Sequence, residues 1–346
     1  MSAPTLTPPV AGSVFRSNFS FAPDGQQATC LRIDDHERTL ELWSCRSLQA
    51  HGRLLRDIPA IAPATQALPL RDGQVLLHPN ATDNPEEKDK VYLLDPRRRE
   101  VRVRELGTLL ALGSYLLPSP SRTELAFIVS YGSDHSTIWC VNTQPAGLTP
   151  LLQLPGVAAG GLWLDAEAGL LGLNLTEPDR GTDGVLVDLA RGAWTRFFSI
   201  SKASNDCLVA YSPSSRLLAV STNARGADRL GLNRLDTRNA LHFPDTLNRD
   251  GFPRQALTFD ETGERLLLHE DAGAISSLLG YTPAGNYLTT LHTPPGTIGP
   301  QASWSQGIVR VPFSGPTTPL TLLSVAADGN RRPEVALLED PTREWA

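Results

Sequence analysis

Short apolar runs alternate with polar turns along the whole chain, and no segment sustains a helical period. The runs are about five to seven residues long, which is typical of strands and too short for most helices. One unit shows the order of its parts: an apolar run Cys207 to Tyr211, a turn Pro213 to Ser215, a run Arg216 to Ser221, a polar loop Thr222 to Asp228, a run Leu230 to Leu235, a turn Asp236 to Arg238 and a weak run Ala240 to Phe243. Four runs separated by turns predict four strands in each unit.

The first turn of this unit recurs at intervals of 44 to 50 residues. Its seven copies are Pro23-Asp24-Gly25, Arg71-Asp72-Gly73, Ser121-Arg122-Thr123, Ala166-Glu167-Ala168, Pro213-Ser214-Ser215, Glu261-Thr262-Gly263 and Ser305-Gln306-Gly307. A four-stranded sheet cannot cover both of its own faces, whereas seven sheets arranged radially cover each other. The pattern therefore predicts an all-β, seven-bladed β-propeller with four antiparallel strands per blade. A β-sandwich is the alternative; eight blades would need a missed repeat, and six would need a false one.

The seven units fill the 346 residues, so we expect residues 1–346 to form a single propeller domain. Residues 1–12 would be an N-terminal extension or a ring-closing strand. The run Thr5 to Val10 could add a strand to the last blade, or the last blade could hold its own four. The Pro/Gly-rich stretch Thr293 to Pro300 is interpreted as a link between units six and seven.

Three turn segments resemble the bacterial WD40-like or PD40 repeat, although the Gly-His and Trp-Asp signatures of true WD40 repeats are absent. The segments are Phe21 to Ala28 (FAPDGQQA), Tyr211 to Ala219 (YSPSSRLLA) and, more weakly, Phe259 to Leu266 (FDETGERL). Pro-Asp-Gly favours a tight turn with a positive φ at the glycine. The resemblance implies a TolB-like propeller, similar to the propeller domain of prolyl-oligopeptidase-type peptidases. One blade, Ser212 to Asp236, also resembles the seven-bladed lactonase family through the loop Asn223-Ala224-Arg225-Gly226.

Composition and charge narrow the function classes. The chain carries 31 basic and 37 acidic residues, a formal net charge of −6, without a basic stripe, so we expect no nucleic-acid partner. No apolar run reaches the roughly 18 residues of a membrane span, and the N-terminus lacks a secretory signal. The sequence has four cysteines, none of them in a C-x-x-C pair, and no histidine motif of the kind that binds metal. We therefore expect reduced thiols, no metal site and no cofactor. These features predict a cytoplasmic protein without a membrane partner.

A prolyl-oligopeptidase-type enzyme needs a hydrolase domain with a G-x-S-x-G nucleophile elbow, and the sequence contains no such motif. Ser133, Asp134 and His135 are adjacent in one loop, where a nucleophile, base and orienting carboxylate cannot converge as a catalytic triad requires. We therefore expect a propeller without its peptidase. The missing nucleophile motif does not decide whether the protein is an enzyme of another kind, but it favours a protein that is not an enzyme.

The loops between second and third strands emerge on one side of a propeller, and here they are rich in ionisable residues. We predict a rim that binds a ligand or partner; the simpler interpretation is a solvated loop face. The candidates are His36, Arg38, His78, Asp83, Glu86, Asp134, His135, Asp179, Arg180, Arg225, Asp228, Arg229, His269, Glu270 and Asp271.

The innermost strands provide a second set of candidates, polar or aromatic residues predicted to line the central channel. These are Arg16, Asn18, Trp163, Arg254, Gln255, Gln301 and Ser303. Two hypotheses follow. The first is a non-catalytic scaffold that docks a protein partner, such as a separately encoded hydrolase or biosynthetic enzyme. The second is a lactonase-, lyase- or cyclase-type enzyme that acts on a small polar molecule at the channel mouth.

Overall fold

A computed structural model shows seven antiparallel sheets, arranged as the blades of a β-propeller. The structure describes residues 14–34, 37–80, 89–97, 100–143, 146–235, 241–249, 253–271, 273, 276–316, 318–327 and 335–337. The predicted seven-bladed, four-stranded architecture is confirmed. In the described part of the chain, no helix could span a membrane.

Each blade is built from one continuous stretch of sequence, with its strands in chain order from the channel outwards. Blades 1 to 4 contain β1 (Phe15–Phe21), β2 (Gln27–Asp34), β3 (Glu37–Ser44), β4 (His51–Leu55); β5 (Gln66–Pro69), β6 (Val75–His78), β7 (Asp89–Asp95), β8 (Arg102–Leu109); β9 (Gly113–Pro118), β10 (Ala126–Tyr131), β11 (His135–Thr143), β12 (Ala146–Pro155); β13 (Val157–Trp163), β14 (Leu170–Thr176), β15 (Thr182–Asp188) and β16 (Ala193–Phe198).

Blades 5 to 7 follow the same plan with two departures. Their strands are β17 (Asp206–Ser212), β18 (Leu217–Thr222), β19 (Arg229–Arg234); β20 (Arg254–Phe259), β21 (Leu266–Asp271), β22 (Ser276–Thr282), β23 (Tyr287–Leu291); β24 (Thr297–Ile298), β25 (Ser303–Ser305), β26 (Ile308–Ser314), β27 (Thr321–Ala326) and β28 (Val335–Leu337). All seven predicted turns join the first strand of a blade to its second.

The fourth position of blade 5 is only partly strand in the described residues. Leu232 forms an antiparallel bridge with His242, and the Asn248 amide bonds both backbone groups of Leu230, at 2.7 and 2.8 Å. A side-chain amide thus replaces part of a strand, because it offers the same donor and acceptor as a peptide group. Of the predicted fourth run, 240–243, residue 240 lies outside the described residues.

Blade 7 has a split first strand, since β24 and β25 both pair with β26. The stretch Thr293 to Pro300, which was predicted to be a link, contains the strand β24 (Thr297–Ile298) of blade 7. The prediction is corrected for this part of the stretch. The Gly299 N–H still bonds the Pro312 carbonyl of β26 at 2.8 Å, but the pairing stops at Pro300, which lacks a backbone N–H. The blade completes its fourth position with β28 from the same stretch of chain; the run 5–10 lies outside the described residues.

Apolar side chains fill the junctions between blades, with one buried cluster at each of the seven junctions. The junction of blades 7 and 1 closes the ring. There Leu322 packs among Phe19, Trp43 and other buried residues of blade 1, and Arg310 Nη2 donates to the carbonyl of Ser47 at 2.7 Å. Side-chain packing rather than strand exchange therefore joins the two blades in the described structure.

Candidate functional site

The loops between second and third strands share one face of the ring with the linkers between blades. Backbone hydrogen bonds join the two kinds of segment in several blades: Gly156 N–H to the Asp134 carbonyl at 2.7 Å, Gly181 N–H to the Lys202 carbonyl at 2.8 Å, and Ser276 N–H to the Gly296 carbonyl at 3.0 Å. We call this surface the rim face. The opposite face carries the turns between first and second strands.

The predicted rim residues lie in or beside the loops of this face, except that His36, Asp83 and Glu86 lie outside the described residues. Arg38, Asp134, Asp179, Arg225, Asp228 and Asp271 are exposed, while Arg180, Arg229, His135, His269 and Glu270 are partly buried and His78 is buried. Asp134 Oδ1 contacts His135 Nδ1 at 2.7 Å, with 79% of the Asp134 side chain and 46% of the His135 side chain exposed. Such a pair adds little stability, because solvent screens it. Together these positions form a charged surface with no shared centre.

Blade 4 carries the densest ionic cluster of the rim face. The Asp183 carboxylate accepts bonds from Arg180 at 2.9 Å and Arg196 at 3.0 Å, and Arg196 also pairs with Glu177. Burial alone would raise the pKa of Asp183, but hydrogen bonds from Arg180, Ser199 and Arg196 outweigh it and hold the pKa below its usual value. The cluster satisfies its own charges, so it stiffens the loop more than it offers a ligand site.

His78 forms a buried contact with a residue that the sequence analysis did not select. Its Nδ1 lies 3.1 Å from Ser114 Oγ on the first strand of blade 3, and its Nε2 is buried without a partner. Burial lowers the pKa of His78, although the charge of Asp89 opposes the shift. His269 in blade 6 shows the same lowered pKa from burial, opposed by Asp271. Ser114 is itself only 6% exposed, so the pair joins two blades and presents no accessible nucleophile.

The predicted channel residues differ in exposure and in hydrogen bonding. Asn18, Gln255 and Gln301 are exposed on or beside the innermost strands; Arg16, Trp163, Arg254 and Ser303 are buried or partly buried. The exposed Asn18 amide still donates to the carbonyls of Pro63 and Thr65, at 3.0 and 2.9 Å. Arg16 bonds Glu41 at 2.7 Å, and Arg254 bonds Glu270 at 2.7 Å. Trp163 donates to the Pro118 carbonyl at 2.7 Å and packs on Phe127. The two arginines are therefore held in ion pairs within their blades.

A cleft on the rim face of blade 1 includes residues that sequence reasoning missed. It has a volume of about 520 Å³ and lies between the start of β3 and the linker that follows β4. Arg38 and Glu37 lie on the strand side, Arg56 and Asp57 on the linker side, and Ile58 and Ile61 add apolar surface. No hydrogen bond or ion pair engages the four charged side chains in the described part of the chain.

Exposed apolar side chains on or directly after neighbouring linkers are the second feature that was missed. Leu110 and Leu112 lie between blades 2 and 3 and are 57% and 61% exposed. Val157 begins β13, directly after the linker between blades 3 and 4, and is 37% exposed, and Ile200 lies between blades 4 and 5 and is 50% exposed. The repeat pattern shows that linkers return to the same face as the second-to-third loops, but it does not show which linker residues stay exposed. We call these four residues the apolar arc.

Comparison with known proteins identifies the fold. No family model and no curated protein matches the sequence. Among solved structures, the β-propeller domain of the trilobed protease from Pyrococcus furiosus is similar, with a TM-score of 0.65 and 11% identity over 96% of this chain and 99% of that one. TolB from Acinetobacter baumannii is similar with a TM-score of 0.54 and 11% identity, over 94% of this chain and 79% of its own.

A puromycin-hydrolyzing peptidase from Mycobacterium tuberculosis gives a TM-score of 0.70 and 14% identity over 97% of this chain, but only 54% of the peptidase. The 346 residues thus span about half the length of such peptidases. At these identities the likeness concerns the fold alone. The resemblance predicted from the turn motifs is confirmed at that level: the chain is a seven-bladed propeller similar to those of prolyl-oligopeptidase-type peptidases and TolB.

Proposed function

We propose that the protein is a binding module that docks a protein partner on its rim face. The observation that carries the proposal is the apolar arc. Of the eight large apolar side chains that are exposed in the described residues, these four lie on or directly after consecutive linkers of one face, and the other four lie on outermost strands. Contiguous exposed apolar surface among polar groups is typical of protein interaction sites.

The charged residues around the arc support the same proposal. Asp134, Arg225 and Asp228 are exposed on this face, so a partner would meet apolar contacts bordered by both signs of charge. A separately encoded enzyme is the partner class that we favour. The fold neighbours include peptidases in which a propeller of this kind covers only 54% or 55% of the chain.

The alternative of a small-molecule enzyme at the channel mouth has less support. Its candidate cations Arg16 and Arg254 are already paired with Glu41 and Glu270, within 2.7 Å. The histidine nearest to a hydroxyl, His78, contacts a serine that is buried with it. These groups stabilise blades, and a catalyst would need them free to contact substrate.

Affinity purification under native conditions tests the proposal. We expect a stoichiometric partner to co-purify with the tagged wild-type protein and to be lost from the variant Leu112→Asp/Ile200→Asp. The matched control is Val103→Asp/Tyr287→Asp, which changes exposed apolar residues on the outermost strands β8 and β23. Loss of the partner from the control variant alone, or absence of any stoichiometric partner from the wild type, would refute docking on the rim face.

A further inference from the structure

The first residues of β3 form an open sheet edge inside the blade 1 cleft. Glu37, Arg38 and Thr39 pair with β2, but the ladder with β4 begins only at Leu40, opposite Leu55. The chain leaves the ladder after Leu55 because Asp57 adopts a left-handed conformation, with φ of 56°, and Pro59 has no N–H to donate. Among the residues that the structure describes, none therefore occupies the strand position beside the first three residues of β3.

The register of the β2–β3 hairpin decides which backbone groups face that position. Asp34 pairs with Glu37 across a two-residue connection, so this pair is the hydrogen-bonded one and the next pair, Ile33 with Arg38, is not. The N–H and C=O of Arg38 consequently point away from β2 and towards the position that β4 has left. In the described residues the β3–β4 ladder runs only from Leu40 to Ser44, so β4 provides no residue opposite Arg38.

Glu37 and Arg38 carry opposite charges, and neither side chain has a partner in the described part of the chain. Glu37 and Arg38 are both exposed, and their side chains alternate to opposite faces of the sheet. Arg56 lies across the cleft and is also exposed and unpaired in the described residues, so one guanidinium group borders each side of the cleft. Ile58 and Ile61 provide an apolar wall that can cover the methylene groups of a long side chain.

We propose that this edge binds an extended segment of the partner protein by β-strand addition, with an acidic residue followed directly by a basic one. The segment runs antiparallel to β3, in the direction of β4. Its acidic residue lies opposite Arg38, exchanges the two backbone hydrogen bonds there, and places its carboxylate near Arg38 and Arg56. The next residue lies opposite Glu37 and is basic, since opposite charges stabilise cross-strand pairs.

The equivalent edge of blade 5 is covered, in contrast to the open edge of blade 1. Asp228 and Arg229 form the same acidic–basic pair at the start of a third strand. There the Asn248 amide bonds the Leu230 backbone, and Arg229 packs over Phe243 at 5.4 Å, so the edge is capped by the chain itself. Blade 5 therefore supplies the matched control for the charge arrangement without the open edge.

The inference rests on the proposed function and is tested with capped peptides on the full chain. The probe is Thr-Val-Glu-Lys-Val-Thr and its partner is the swapped Thr-Val-Lys-Glu-Val-Thr. We expect the wild type to bind the first peptide about tenfold more tightly than the second, and the variant Glu37→Lys/Arg38→Glu to reverse this preference. The control variant Asp228→Lys/Arg229→Glu should keep the wild-type preference. Equal binding of both peptides, or no binding below about 1 mM, would overturn the inference.

Amide exchange distinguishes strand addition from simple charge attraction. Binding of the probe should slow exchange of the Arg38 amide, because its N–H gains an acceptor. Binding without protection at Arg38 would also overturn the inference. If the peptide arm fails while the partner still depends on Leu112 and Ile200, only strand addition is lost; if both fail, docking on the rim face is lost as well.

Discussion

The Glu41 carboxylate is the centre of a buried polar cluster in blade 1, and its removal should be costly. Glu41 has no exposed surface, and it accepts from Arg16 at 2.7 Å, Trp43 at 3.1 Å and Arg32 at 3.4 Å. The Cys30 thiol also lies 3.2 Å away. The substitution Glu41→Gln keeps the size of the side chain but leaves the two guanidinium groups without a buried counter-charge.

Breaking a buried pair by removing one partner costs about 3–5 kcal/mol, so we expect a loss of that size in the free energy of unfolding. For 346 residues, an unfolding entropy of roughly 2.1 cal/mol/K per residue converts this loss into a melting temperature lower by about 4–7 °C. Urea unfolding followed by tryptophan fluorescence measures the loss directly, because Trp43 lies in the cluster.

Glu105→Gln is the matched control, because it removes the carboxylate of an exposed pair with Lys90 at 2.9 Å. Solvent screens that pair, so this variant should unfold almost as the wild type does. Equal unfolding free energies for the Glu41 and Glu105 variants would show that the blade 1 cluster does not act as a buried ion pair.

Three further predictions concern the fold. Asn248→Ala should cost about 1–3 kcal/mol in unfolding free energy, since Leu230 loses both bonds to the amide, while Asn205→Ala, at an exposed position, should cost much less. Gly25→Ala should lower the free energy of unfolding by about 1–3 kcal/mol more than Gly307→Ala does. Both glycines have a positive φ, 66° and 72°, but only at Gly25 would an added Cβ meet other atoms, namely Oγ of Ser305 at 2.4 Å and Oγ of Ser303 at 2.5 Å. Because burial lowers the pKa of His78, the unfolded state binds more protons below about pH 6.5 and stability falls as pH drops. His78→Asn should therefore flatten the stability profile in urea titrations between pH 7 and 5, whereas the exposed-site variant His292→Asn should not; a profile unchanged by His78→Asn would contradict the assigned cause.

The sequence predicted the repeat because its turns carry local chemistry. Four of the predicted turns contain a glycine with a positive φ, as such turns require. These glycines are Gly25, Gly73, Gly263 and Gly307. The capped edge of blade 5 was not predictable, since it depends on Asn248 contacting a strand 18 residues earlier. Departures of this kind arise from tertiary contacts that local periodicity does not encode.

The candidate site was predicted in part, and the reason is also physical. Charged loops can be recognised by their composition, so the candidate rim residues could be selected from the sequence. The apolar arc could not be distinguished from core residues such as Leu109, because exposure of a linker leucine depends on how neighbouring blades pack. Similarly, Arg16 was expected at the channel, but its partner Glu41 lies 25 residues away, on the third strand.

Hydrogen exchange of the purified complex tests most directly whether this protein works through its rim face. We expect partner binding to slow exchange in the linkers 110–112 and 199–205 and at residues 156–157, and to leave the turns of the opposite face unchanged. Protection confined to those opposite turns, such as 23–25 and 261–263, would contradict it.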